Sequence, residues 1–220
     1  MHLLAVVRHA ESTENATKHS GFYQDPRPWT DEAAHALSRD LVGLTPRGFR
    51  QCQWLRTTLA DLLGGDPYVY SSQYRRALDT ADLALPDQKA EVTALLNEQH
   101  YGAATYMTKR QLFATYPDTE QDRQTRKHLW TPPGTGGESL AVGVLARATA
   151  FVEALTTSAP AVAAVTHHTA ILALRSVLER RPVTDLVEEA RAHKTPNAGI
   201  LLYERRGRAF AQVADVEPDC

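Results

Sequence analysis

The chain has 220 residues, 43% hydrophobic and 23% charged, with a formal net charge of −2. That length and balance suit one compact domain over residues 1–220 and exclude a disordered chain. Lys and Arg occur as scattered pairs rather than runs, which speaks against a nucleic-acid or anionic-membrane partner, and no apolar stretch is long enough to cross a bilayer.

LLAVV (Leu3 to Val7) is continuous, apolar and partly β-branched, the pattern of a strand buried on both faces; it is too short for a signal peptide. TPRGFRQCQWLRTTLADLLGG predicts a helix with Thr45 as N-cap, Pro46 in its first turn and Gly64-Gly65 as its stop. YVYS predicts a second strand, RRALDTADLAL a helix and EVTALL a third strand. A helix is expected from about Ser139 to Thr157, a buried strand at AVAAV (Ala161 to Val165), and a helix at TAILALRSVLE. The tail reads as a hairpin of GILLYE and AFAQVAD around Arg205 to Arg208. Strands alternating with helices predict an α/β fold, a mostly parallel central sheet with helices on both faces. Residues 10–44 and 99–137 are long and polar, as expected of connections that build a site; the stretch around 26–43 reads as an insertion. Cys52 lies in a helical pattern and Cys220 is the last residue, so no disulfide is expected and a reducing, cytoplasmic compartment fits.

The reactive side chains collect after the strands. Arg8-His9 follows the first, Ser71-Ser72 and Arg75-Arg76 the second, Asn97-Glu98 the third, and Thr166-His167-His168 the fourth. Open α/β sheets bind ligands at the carboxyl ends of their strands, so these groups should share one site. Guanidinium groups bind phosphate oxygens bidentately, imidazole can accept a phosphoryl group, and a carboxyl can protonate a departing oxygen. Adjacent His167-His168 lacks the spacing of a helical zinc site, so neither metal nor cofactor is expected. Without a G-x-S-x-G elbow, Ser71-Ser72 reads as a helix cap rather than a nucleophile.

RHAESTEN (Arg8 to Asn15) resembles the opening signature of the histidine phosphatase superfamily, also called the phosphoglycerate-mutase-like family. LTPRG, SSQYRRALDTA, LNEQHYG, GGES and THHTAI resemble its later elements in the same order. The resemblance implies that His9 is the phosphorylated nucleophile, that Arg8 and Arg76 hold the phosphoryl oxygens, and that His167 bonds the same group. It also implies that Asn15 contacts the phosphate and that Glu98 is the proton donor. Ala10 and His168 stand where the family usually has glycine; His168 would narrow the pocket or add a donor.

Two activities remain open within that resemblance. Ser20-Gly21, Tyr101 and Lys109 resemble substrate-binding positions of the mutases, whereas Arg123 and Arg126 are separated where a mutase has an adjacent pair, and the tail VADVEPDC gives no sign of a closing segment. The expectation is a metal-independent phosphatase for a small phosphomonoester of the sugar or sugar-acid phosphate class. A cofactor-dependent phosphoglycerate-mutase-type isomerase is the alternative, and a non-catalytic binder the third reading. His19, Tyr23, Tyr106 and Arg126 are further pocket candidates; a homodimer is compatible with the sequence.

Overall fold

The computed structural model describes residues 2–19, 30–155 and 159–219, which build one six-stranded sheet in the order β3-β2-β4-β1-β5-β6. Strands β1 (Leu3–Arg8), β2 (Tyr68–Ser71), β3 (Glu91–Val92) and β4 (Ala161–Thr166) are mutually parallel, and β5 (Ile200–Arg206) and β6 (Ala209–Val216) close one side as an antiparallel hairpin.

The central strands are apolar throughout because both faces are covered. Leu4, Val6, Val162, Ala164, Leu201 and Tyr203 point into a core with Phe151, Ile171 and Leu174. The alternate residues Ala5, Val7, Ala163, Val165, Ile200 and Leu202 pack with Leu55, Leu59, Ala77 and Ala81 on the other face. The first core is lined by α7 (Leu145–Ala154), α8 (His168–Glu179) and α9 (Val183–Ala192), the second by α3 (Pro46–Leu63) and α4 (Arg75–Ala84).

Strand β1 leads on to α3 on one face, and its neighbour β4 leads directly into α8 on the other. The chain thus diverges between two adjacent parallel strands, which leaves a crevice at their carboxyl ends. Arg8 and Thr166 are paired in register there, and Ser71 pairs with Val165 one residue lower.

The connections predicted to build a site carry short helices: α1 (Thr13–His19) and α2 (Asp31–Ala36), the latter followed by a π-helical turn to Leu41, then α5 (Lys109–Thr115) and α6 (Glu120–Thr125). Two expectations need correction, and one helix is new. The third strand keeps only Glu91 and Val92, because the Thr93 side chain accepts the Leu95 N–H and starts a 3₁₀ turn over Ala94–Leu96. The helix expected from Ser139 begins as a π-helical turn and ends at Ala154. Helix α9 was not anticipated; its polar sequence buries only Val183 and Leu186. No helix among the described residues is long and apolar enough to cross a membrane, and Cys52 is a buried free thiol.

Candidate active site

The crevice opens into a cavity of about 660 Å³. Its walls include Arg8, His9, Asn15, Arg76, Glu98, Tyr101, Lys109 and His168, all anticipated from the sequence. His167 stands behind the wall: it is fully buried, with its ring centroid 5.0 Å from that of His9, and does not line the cavity itself. Ser20, Gly21 and Tyr23 lie outside the described residues, as does the side chain of His19. Tyr106 lines the cavity, whereas Arg126 does not; it pairs at the surface with Asp122, four residues back, and Arg123 faces the cavity instead.

His9 is presented in one tautomer. Its Nδ1 lies 2.7 Å from the Ala10 carbonyl, which can only accept, so Nδ1 carries the proton. Its Nε2 receives the Nε–H of Arg76 at 3.2 Å and therefore bears a lone pair. A neutral imidazole held this way can attack an electrophile through Nε2.

Several contacts hold that arrangement. The Ala10 N–H donates to Thr80 Oγ1, and Thr80 donates in turn to the Arg76 carbonyl, so one threonine joins the loop after β1 to helix α4. Ala10 is wholly buried, which shows that its methyl is accommodated. Thr45 caps α3 through Gly48 N and donates to the Glu11 carboxylate; a Cβ on Gly48 would collide with the Glu11 carbonyl, so α3 needs a glycine here to approach the loop. From the far end of the chain, Arg8 Nη1 donates to the Thr195 carbonyl, and Asn197 Nδ2 reaches both the His9 carbonyl and Asn15 Oδ1.

The second histidine is also fixed. Ser72 Oγ donates to Asn97 Oδ1, an atom that must be the amide oxygen because it also receives the Gln73 N–H. Ser72 therefore accepts from His167 Nε2–H at 2.8 Å, which leaves Nδ1 as the unprotonated nitrogen, without a hydrogen-bond partner among the described residues. Burial first, then Arg76, His9 and Arg8, push the His167 pKa well below the ordinary histidine value. Ser72 thus serves His167 and also accepts the N–H of Tyr74 at 3.2 Å, at the start of α4, whose N-cap Tyr74 makes no side-chain bond of its own.

Positive charge is concentrated as anticipated. Arg8 and Arg76 are buried, and Arg76 also donates to the Ser38 carbonyl and lies 3.7 Å from Glu14. Burial lowers the Arg8 pKa to about 10, with Glu98 opposing and Arg76 assisting, so the group stays protonated at neutral pH. Glu98 Oε1 receives the N–H of Thr169, near the start of α8, at 3.1 Å and that of Gln99 at 2.9 Å. Its Oε2, 3.5 Å from Thr169 N, is the less engaged oxygen.

Glu98 is held from behind by an unanticipated pair. Arg147 on α7 forks onto Glu138 at 2.6 and 3.2 Å, while its Nη1 donates to the carbonyls of Ala94, Leu95 and Asn97. Glu138 Oε1 also accepts the His100 N–H, and the Glu138 carbonyl accepts from Gln99 Nε2. The backbone on both sides of Glu98 is thereby tied to α7 and the turn before it. The GGES element supplied the signal for Glu138, but nothing in the sequence pointed to Arg147.

Comparison with known proteins identifies a family and a fold. The family model described as histidine phosphatase superfamily (branch 1) matches residues 4–215. An acid phosphatase of Mycobacterium tuberculosis is 31% identical over 140 residues, covering 64% of this chain and 57% of that protein, so the match spans little more than half of that relative. Among solved structures, the alpha-ribazole phosphatase from Shigella flexneri superposes with a TM-score of 0.77 at 20% identity, covering 97% of this chain and 95% of that one. A phosphoserine phosphatase from Entamoeba histolytica, in complex with 3-phosphoglyceric acid, gives 0.73 at 17% identity, covering 100% and 98%.

Proposed function

We propose that this chain, which belongs to the histidine phosphatase superfamily (branch 1), is a phosphatase that hydrolyses a small phosphomonoester through a phosphohistidine on His9. The observation that carries the reading is the His9 tautomer: Nδ1–H is spent on Ala10, and Nε2 is the unprotonated nitrogen, its lone pair accepting the Arg76 Nε–H until a phosphoryl oxygen takes over that donor.

In the first step Nε2 attacks phosphorus, the bond from phosphorus to the leaving oxygen breaks, and Glu98 as the carboxylic acid gives its proton to that oxygen. Engagement of Oε1 by two N–H groups makes Oε2 the oxygen that carries and delivers the proton. In the second step the Glu98 carboxylate takes a proton from water, whose oxygen attacks phosphorus. The phosphorus–nitrogen bond breaks, and inorganic phosphate and neutral His9 are restored. Arg8 and Arg76 stabilise the equatorial oxygens through both transfers, and Asn15 orients the group from α1. His167 joins through Nδ1, gaining a proton there as the anion binds. No step draws on a metal or cofactor.

The class of substrate is an acidic phosphomonoester of the sugar or sugar-acid phosphate type. Lys109, Arg123 and Lys127 lie on the same cavity wall as Tyr101, where they would meet a carboxylate on the alcohol half. The relatives named for phosphoserine and alpha-ribazole phosphate hydrolysis make such esters the first to try. The same cationic wall favours the mutase reading, so the test must tell the two apart. Purified protein is incubated in EDTA with 3-phosphoglycerate, phosphoserine and sugar phosphates, and both free phosphate and 2-phosphoglycerate are followed. Phosphate release is expected; isomerisation without release would make the protein a mutase, and inertness toward every ester would leave only a binder.

A further inference from the structure

A second cavity, of about 350 Å³, adjoins the first, and the two share Gln99, Lys109, Arg123, Lys127, His168 and Thr169 as lining. Its remaining walls come from elements that take no part in the chemistry. Leu172 on α8 and Val187 and Ala190 on α9 make an apolar side, and Arg191 adds a further guanidinium. The volume alone falls within the range of ligand sites, about 300–1,000 Å³, so it is larger than a packing defect.

The charge of this annex is one-sided. Lys109, Arg123, Lys127 and Arg191 line it, and neither Asp nor Glu is among its lining residues. Arg191 has Glu188 at 2.8 Å on the outer surface, and Arg123 stacks on Trp130, 4.9 Å from the ring centre. Lys127 is exposed by surface area, and it is held below the usual lysine value by partial burial first and then by Arg123, with Glu98 opposing. Four cationic side chains beside an apolar wall suit an amphiphilic ligand end, even with Arg191 and Arg123 already engaged by Glu188 and Trp130.

We propose that the annex receives the distal end of the substrate: a phosphomonoester whose alcohol half is an apolar stem ending in a second anionic group. The stem lies against Leu172, Val187 and Ala190, and the anion is held by Lys127 and Arg191. This rests on the phosphatase reading and narrows its substrate class from short sugar acids to longer acids.

The test uses ω-phosphooxy alkanoates of two to eight carbons, alkyl phosphates of matching length, and para-nitrophenyl phosphate as a general probe. The intact protein is compared with Ala190→Trp, which fills the annex, Val187→Phe, a milder filling, and Arg191→Gln. The expected kcat/KM rises about tenfold or more from the shortest to the longer acids, the scale of a charge-assisted contact. Either filling variant removes that rise while the two-carbon acid keeps its rate, and Arg191→Gln lowers the preference for acid over alkyl ends. Rates independent of chain length, in a protein that still hydrolyses the shortest acid, would overturn the annex and leave the phosphatase reading intact. Calorimetric binding of the same series is measured in parallel. If no ester turns over, the phosphatase reading fails; the annex then stands if affinity rises with length and falls in Ala190→Trp, and falls with it if affinity is flat.

Discussion

Replacing Arg147 by methionine should damage stability and one half of the chemistry in a way that separates them. The side chain and its partner Glu138 are about four-fifths buried, with relative exposures of 21% and 19%. Methionine keeps much of the stem's bulk but removes the fork onto Glu138 and the donors to the Ala94, Leu95 and Asn97 carbonyls. Breaking one side of a fully buried pair costs about 3–5 kcal/mol; partial access of water to Glu138 lowers this to about 2–4 kcal/mol. At roughly 2–4 °C per kcal/mol for a chain of this length, the melting temperature should fall by about 4–16 °C. Freed backbone beside Glu98 should also slow esters that need their leaving oxygen protonated. A general acid supplies about 10²–10⁴-fold, so a displaced one should lose about tenfold or more on an alkyl phosphate and little on para-nitrophenyl phosphate. Calorimetric melting and steady-state kinetics on both esters make the assay. The double variant Arg147→Met/Glu138→Leu should regain most of the stability, since no charge is stranded, without regaining the alkyl rate. Equal slowing of the two esters, or a stability loss with both rates intact, would refute the claim that this pair positions Glu98.

Ser72→Ala strands His167 Nε2–H, fully buried, and should cost about 1–3 kcal/mol in urea unfolding together with a reduced kcat; an unchanged kcat would detach His167 from the chemistry. His35 stacks on His100 with centroids 3.7 Å apart, and burial, then His100, lower its pKa from 6.5 to about 4. The unfolded chain therefore takes up protons first, so this contribution to stability is complete above about 6.5, drains as pH falls toward about 4, and levels below. The urea midpoint should drop between pH 7 and 4.5, and His35→Phe should flatten the slope; an unchanged slope would show that His35 does not titrate in this way. Burial pushes the Cys52 thiol up to about 12, so in a Cys220→Ser background Ellman's reagent at pH 8 should react only after unfolding, and rapid labelling of the native protein would contradict the packing around Thr80.

The strands β1 and β4 were legible because burial on both faces leaves an uninterrupted apolar run, and the residues just past them were legible because parallel strands aim their carboxyl ends at one crevice. The third strand was overread: TALL is apolar enough, but Thr93 bonds locally and turns the chain before the strand can extend. Helix α9 escaped because a helix lying on the outer layer needs few apolar residues. In the site, His9, Arg8, Arg76 and Glu98 announced themselves by chemistry and position. Their supports did not, since Thr195 and Asn197 reach Arg8 and His9 from the other end of the chain, and Arg147 acts on backbone carbonyls that carry no residue-specific signal. Arg126, expected in the pocket, lies just past the end of α6 and is drawn outward by Asp122, whereas Arg123 within α6 faces the cavity.

The central claim is that His9 Nε2 carries the phosphoryl group during turnover. Mixing the protein with a ³²P-labelled ester that it hydrolyses, quenching in alkali within milliseconds and mapping the labelled peptide tests it directly. The account predicts an alkali-stable, acid-labile label on the peptide holding His9, absent in His9→Ala, which should also lose turnover. Turnover that persists in His9→Ala, or label on any other residue, would contradict it.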